Sequence, residues 1–377
     1  MVSSSKPQRD VGLDIYRTVA FLFVPCVHFF LHTGFYEQPV CGGRMFLMVF
    51  LRTAFNMCVP MFMLLTGYLT ADREIAVSPR PLFTYYKRLG TLYLSYVFAT
   101  VLTVLYCCVA LHEQFTVKGM LKSILSYEGY GWYVEMYLGF AIMIPFLNLM
   151  WKGIVSKSGA RCMLALLSLL TVLPSVCNAY DIKTPGALLK PWTANSYAGI
   201  VPDWWVFLYP ITYYFVGAYL KRFADVKAFK PHRVAPLLAL SIFVSGAYNI
   251  LHSYQRPFVS GVWQEYGGWQ NMINSVLMFL LLNSVRYTKM PRCAVRFISY
   301  ISSLTFTAYI CSQITDDFLY RRLNEAIPTV TERIDYFPIT VMLSASGALL
   351  LSAAVHTVIK LITASKVRTG RVKNIQR

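Results

Sequence analysis

Long apolar runs, broken at intervals by short basic or aromatic loops, dominate the chain. Windows of about 20 apolar residues can cross a bilayer as a helix. The pattern predicts an all-α, polytopic membrane bundle of about ten transmembrane helices. They lie near 13–33, 45–69, 89–110, 130–150, 162–177, 203–220, 234–252, 269–285, 297–315 and 339–362. No segment between them exceeds about 25 residues, too short for an independent domain. One integral-membrane domain over 1–377 is therefore expected: a short N-terminus 1–12, the bundle 13–362 and a basic tail 363–377. No internal repeat shows, which weighs against many transporter architectures.

Charge then sets the orientation. Most Lys and Arg fall in the N-terminus with Arg17, in 70–88, 151–161, 221–233 and 286–296, and in the tail. The positive-inside rule places these segments, and both termini, in the cytoplasm. The net charge of +18 thus reads as topology, and no nucleic-acid partner is expected. Hydrophobic residues make up 56% and charged residues 14%, which excludes an ordinary soluble domain. Nine Cys, mostly inside apolar runs, form neither a metal-ligand spacing nor a disulfide framework, so no metal site is expected. Lys6 and Arg9 precede the first run without a small-residue cleavage site, as in an uncleaved first helix.

Ionisable groups at membrane depth are costly and point to function. The first span carries Asp14, Arg17, His28 and His32. Eleven residues place Arg17 and His28 on nearly one face, about 16 Å apart along the axis. His28 sits too deep to reach water, and a neutral imidazole suits a general base. Arg17 has two bland alternatives, snorkelling to the interface and pairing with Asp14. Glu135 lies inside the fourth span amid Trp132, Tyr133 and Tyr137, rings that suit either an interfacial belt or a sugar face. Arg52, with Asn56 one turn on and Pro60 beyond, lies in the second span, where it can meet a phosphate, a carboxylate or Glu135 or simply snorkel. Tyr85-Tyr86-Lys87-Arg88 opens the third span, either as an anion-binding mouth or as a topology signal alone.

Several segments resemble acyltransferase family three. Leu13-Asp14, Arg17 and His28 resemble its opening motif, and Asn56 to Phe62 through Thr66-Gly67-Tyr68-Leu69 its "VPlFfmiSGyL" segment. Trp132 through Tyr137 to Pro145, Tyr213 to Leu220 and Ser303 to Ile310 are similar to its later motifs, in order along nearly the whole chain. The chain departs from the pattern at Ser312-Gln313, where a His often follows, and at Thr91, where a second Arg is usual.

The resemblance implies acyl transfer from a cytoplasmic acyl-coenzyme A, usually acetyl, to a hydroxyl of a cell-surface polysaccharide or its lipid-linked precursor. Acetyl-CoA would be a co-substrate, with no permanently bound cofactor. The setting would be a bilayer, namely a bacterial cytoplasmic (inner) membrane, and relatives' appended hydrolase-like domain has no room here. His28 would be base or acyl carrier, with Arg17 and Glu135 completing the catalytic set. Lys87, Arg88, Tyr68 and Arg17 would meet the donor, and Trp132, Tyr133, Arg52 and Asn56 the acceptor. Another acyl group such as succinyl, a lipid-linked glycan transporter or flippase, and an idle membrane scaffold are the alternatives.

Overall fold

The computed structural model describes residues 10–114, 116–125 and 131–375, with side chains described up to 122 and from 131 to 361. Lys6, Arg9 and the side chains of the basic tail lie outside the described residues. The described residues form α-helices with no strand: α1 Val11–His32, α2 Gly42–Phe55, α3 Cys58–Thr70, α4 Pro79–Ala110, α5 Val117–Leu125, α6 Trp132–Gly153 and α7 Lys157–Thr171. There follow α8 Leu173–Cys177, α9 Tyr209–Phe223, α10 Pro231–Ser253, α11 Trp269–Ser284, α12 Arg292–Ala326 and α13 Phe337–Ile375.

Among the described residues, seven stretches are by length and composition long and apolar enough to cross a membrane: α1, α2 with α3, α4, α6, α10, α12, and Val330–Leu361. The other expected spans form shorter helices. Pro174 stands in the first turn of α8, which splits the 162–177 run into α7 and α8, and Pro210 stands in the first turn of α9, which starts at Tyr209, six residues into the expected span 203–220. Helices α7 and α9 have 15 residues and α11 has 16. At the rise of an α-helix they reach about 23 Å, less than the roughly 30 Å of a hydrocarbon core.

Two other boundaries differ in ways that build the interior. The expected continuous span 45–69 is broken at Asn56 and Met57. Pro60 lacks an N–H, and its ring crowds the carbonyl of Asn56, four residues back. The break turns the Asn56 amide toward the loop before α11, where it donates to the Gln264 carbonyl at 2.7 Å. The expected loop after 315 is the second half of α12. Its polar sequence hid a helical stripe: Asp316, Tyr320 and Leu323 are buried one turn apart.

Close packing fixes α3 against α9. A Cβ on Gly67 would lie 1.9 Å from the Tyr214 carbonyl oxygen, and one on Gly217 would lie 2.1 Å from that of Leu64. Only hydrogen lets the two backbones approach so far. Near the ends of these helices, Asp72 accepts from Arg222 Nη2 at 2.5 Å and from the Trp151 indole at 3.1 Å. Asn148 donates to the Thr70 and Arg73 carbonyls, tying α6 to the end of α3.

The axis of the bundle is the pair α1 and α12, which run parallel. Asp14 meets Ser302 and His28 meets Asp316, each pair separated by 288 residues in sequence. Tyr320 donates to the Pro25 carbonyl at 2.7 Å and Asn324 to that of His32 at 2.7 Å, extending the contact to the far end. Buried Arg333 donates to the carbonyls of Thr33, Asn324, Ile327 and Pro328, which closes the end of α12. The long segment between α8 and α9 is ordered by Asp181, whose carboxylate accepts four backbone N–H bonds, from Lys183, Thr184, Asn195 and Ser196. A hydrogen bond from the Thr184 side chain, together with these backbone bonds, favours the ionised form and holds its carboxyl below the usual range.

Candidate active site within the helix bundle

His28 lies one turn before the end of α1. Its Nδ1 is 2.7 Å from Asp316 Oδ2; Asp316 is fully buried, whereas the His28 side chain keeps 13% exposure. The other carboxylate oxygen accepts from Ser344 of α13, and Ser344 is 3.0 Å from the Thr315 hydroxyl. A buried carboxylate is tolerated only with such partners. An ionised carboxylate can only accept, so in that form of Asp316 the bond requires the imidazole proton on Nδ1. The rings of His32 and Tyr309 lie 6.2 and 6.5 Å from that of His28.

A second polar group occupies the other end of the α1–α12 contact. Asp14, 4% exposed, accepts from Ser299 at 2.7 Å and Ser302 at 2.8 Å. Arg17 Nη1 donates to the same Ser302 oxygen at 3.4 Å. Arg17 and Ser302 also line a cavity of about 220 Å³, with Thr66, Tyr133, Tyr137 and Tyr309 among its other walls. Ser302 to Tyr309 is about 10 Å along α12. The cavity therefore runs from the Arg17 group toward the ring that neighbours His28.

A larger cavity, about 720 Å³, opens between α2, α6, α9 and the loop before α11. Arg52, Asn56, Trp132, Tyr209, Gln264 and Glu265 are among its walls. The first turns of α6 separate the two spaces: Trp132 and Met136 face the large cavity, Tyr133 and Tyr137 the small one. Each pair is one turn apart, on neighbouring faces of one helix. Trp132 stacks on Tyr266 at 5.5 Å, and Tyr133 meets Tyr309 edge-on at 5.4 Å. Burial, with the negative charge of Asp203 nearby, pushes the Glu265 carboxyl above its usual range.

The remaining sequence candidates are spread more widely. Glu135 faces α4, where the Tyr96 hydroxyl donates to it at 3.2 Å, and it lines neither cavity. Lys87 and Arg88 are exposed near the start of α4. The neighbouring hydroxyls of Tyr85 and Tyr86 donate to the Ala141 and Ile142 carbonyls, fixing that start against α6. Tyr68 packs on Phe279 at 4.9 Å, and the Lys221 ammonium sits 4.9 Å over its ring. Arg52 meets neither Glu135 nor any other carboxylate within salt-bridge distance among the described residues; its partners are Gln264 and Tyr36. Asp316, Ser344 and Gln264 were not singled out by sequence reasoning. For Asp316 the available signal was its one-turn spacing to Tyr320 and Leu323.

The sequence profile of an acyltransferase domain matches residues 10–354, which include both ends of the α1–α12 contact and both cavities. No curated protein and no solved structure matches the chain. With a profile match over nearly its full length, this integral-membrane chain belongs to acyltransferase family 3.

Proposed function

We propose that the chain is an O-acetyltransferase. It would move an acetyl group from cytoplasmic acetyl-CoA to a hydroxyl of a cell-surface polysaccharide or its lipid-linked precursor, in a bacterial cytoplasmic membrane. The observation that carries this reading is the buried His28–Asp316 pair at 2.7 Å. A histidine oriented by a carboxylate is what hydroxyl activation requires.

In this reading the donor's anionic nucleotide rests near exposed Lys87 and Arg88, and both termini lie on that cytoplasmic side. The pantetheine arm follows the 220 Å³ cavity past Arg17 toward Tyr309. The acceptor occupies the 720 Å³ cavity, its sugar faces against Trp132 and Tyr266. His28 Nε2 takes the proton of the attacking hydroxyl. The hydroxyl oxygen bonds to the thioester carbonyl carbon, the C–S bond breaks, and the proton passes from His28 to the departing sulfur. Asp316 holds the imidazole in the tautomer that accepts at Nε2 and stabilises the transient imidazolium. Tyr133, beside Tyr309, belongs to the wall between the two substrates. Glu135 acts through Tyr96, as a brace between α4 and α6.

Mass spectrometry of surface glycan tests the assignment. Cells carrying His28→Ala, at wild-type protein level in the membrane, are expected to lose about 42 mass units per modified sugar, the difference between acetyl and hydrogen. Near-normal acetylation in that strain would exclude His28 as the base.

A further inference from the structure

Two buried arginines near the same end of the bundle are used in opposite ways. Arg333 and Arg52 are both 8% exposed. The donors of Arg333 are taken up by four backbone carbonyls. Arg52 donates through Nε to the Tyr36 hydroxyl at 3.0 Å and through Nη1 to the Gln264 side-chain oxygen at 2.5 Å. Its Nη2 has no hydrogen-bond partner among the described residues, and the residue lines the 720 Å³ cavity. One face of the guanidinium lies against Phe258, 5.0 Å from the ring centroid. Neutral partners on two nitrogens and an aromatic on one face hold the fork in place without cancelling its charge.

A buried cation without a counter-charge is costly, and a fixed guanidinium fork fits an oxyanion better than any neutral group. Glu265, an acid in the wall of this cavity, forms no ion pair with Arg52, whose side-chain partners among the described residues are Tyr36 and Gln264. Asn56 and Asn271 both donate to the Gln264 carbonyl, so the residue that aims Arg52 is itself held from two helices.

We infer that the large cavity takes an acidic acceptor: a glycan that presents an anionic oxygen group to Arg52 while its sugar faces stack on Trp132 and Tyr266. The inference names the acceptor class for the acyl-transfer reading and rests on it for the word acceptor. The anionic group is a sugar carboxylate or a phosphate linking sugar to lipid.

Equilibrium binding to the full chain in nanodiscs, with no acyl donor present, tests it. Three probes are compared: a hexuronate-containing oligosaccharide, the same oligosaccharide after carboxyl reduction, and inorganic pyrophosphate. At least one anionic probe is expected to bind about tenfold or more tighter than the carboxyl-reduced one. Tighter binding of the hexuronate names a sugar carboxylate as the source, and tighter binding of pyrophosphate names the lipid linkage. Arg52→Gln should abolish that preference while the melting temperature of the empty protein shows it folded. Equal binding of all three probes by the wild-type protein overturns the inference, as does an unchanged preference in folded Arg52→Gln. The wild-type comparison decides even if the variant fails to fold. His28→Ala should keep the preference and lose transfer, so failure of the acyl-transfer reading and failure of this one give different results.

Discussion

The two ends of the α1–α12 contact use the same parts for different ends. At one, the carboxylate of Asp14 stands on α1 and accepts from two serines of α12. At the other, the carboxylate of Asp316 stands on α12 and accepts from a serine of α13, facing a side chain of α1. In both, a buried acid is stabilised by hydroxyls. The difference lies in the base beside it. Arg17 keeps its proton at every physiological pH, so the Asp14 group can attract and hold an anion but cannot exchange a proton. His28 is an imidazole, a group with one nitrogen to donate and one to accept. A carboxylate with serine hydroxyls is therefore a scaffold at one end and part of the proposed proton relay at the other.

Asp316→Asn should separate the two most strongly. It keeps the size of the side chain but no longer favours the right imidazole tautomer. A fall in kcat of about 10²–10⁴ is expected, measured with purified protein and acetyl-CoA. Gly67→Ala comes next and tests the frame that carries both ends. A methyl group placed 1.9 Å from a backbone oxygen must push α3 off α9. A loss of about 3 kcal/mol or more is expected, read as depleted folded protein on size exclusion after mild heating. Asp14→Asn should cost about 1–3 kcal/mol in thermal stability and leave kcat within about threefold. If it lowers kcat as far as Asp316→Asn does, both ends serve the chemistry and the distinction is wrong. The smallest effect is expected at the exposed mouth. Arg88→Ala should raise the KM for acetyl-CoA about fivefold, the scale of an exposed ion contact, with kcat unchanged. An unchanged KM would reduce Lys87 and Arg88 to topology signals.

The sequence showed the helical class and the co-facial placement of Arg17 and His28, which both meet α12, because apolar length and a 3.6-residue period are local properties. It did not show the partner of His28. Asp316 follows Thr315 in a run whose charges, Asp317, Arg321 and Arg322, read as a water-exposed loop. Only packing reveals that one face of that run is buried against α1. The limits of the shorter helices were hidden for a related reason. Apolar runs near 162–177, 203–220 and 269–285 have the composition of spans. Pro174 and Pro210 stand in the first turns of α8 and α9, and α7 leaves Leu166, Leu169 and Leu170 exposed on the outside of the bundle. The motif glycines Gly67 and Gly217, read first as family markers, turn out to set how closely two helices meet. Glu135, conspicuous as a charge inside a span, is held by Tyr96 on a face away from both cavities. Gln264 was invisible because a glutamine in a polar loop carries no signal until the loop folds over Arg52.

The matched offset of 288 residues has a consequence for how this chain can change. Asp14 to His28 and Ser302 to Asp316 cover the same interval on two parallel helices, about 21 Å on each. One residue inserted into either interval turns everything beyond it by about 100° and moves it by about 1.5 Å. Either insertion alone would therefore keep one polar contact only by abandoning the other. The two helices form a ruler whose markings must agree, and substitution is far easier for it to absorb than any change of length.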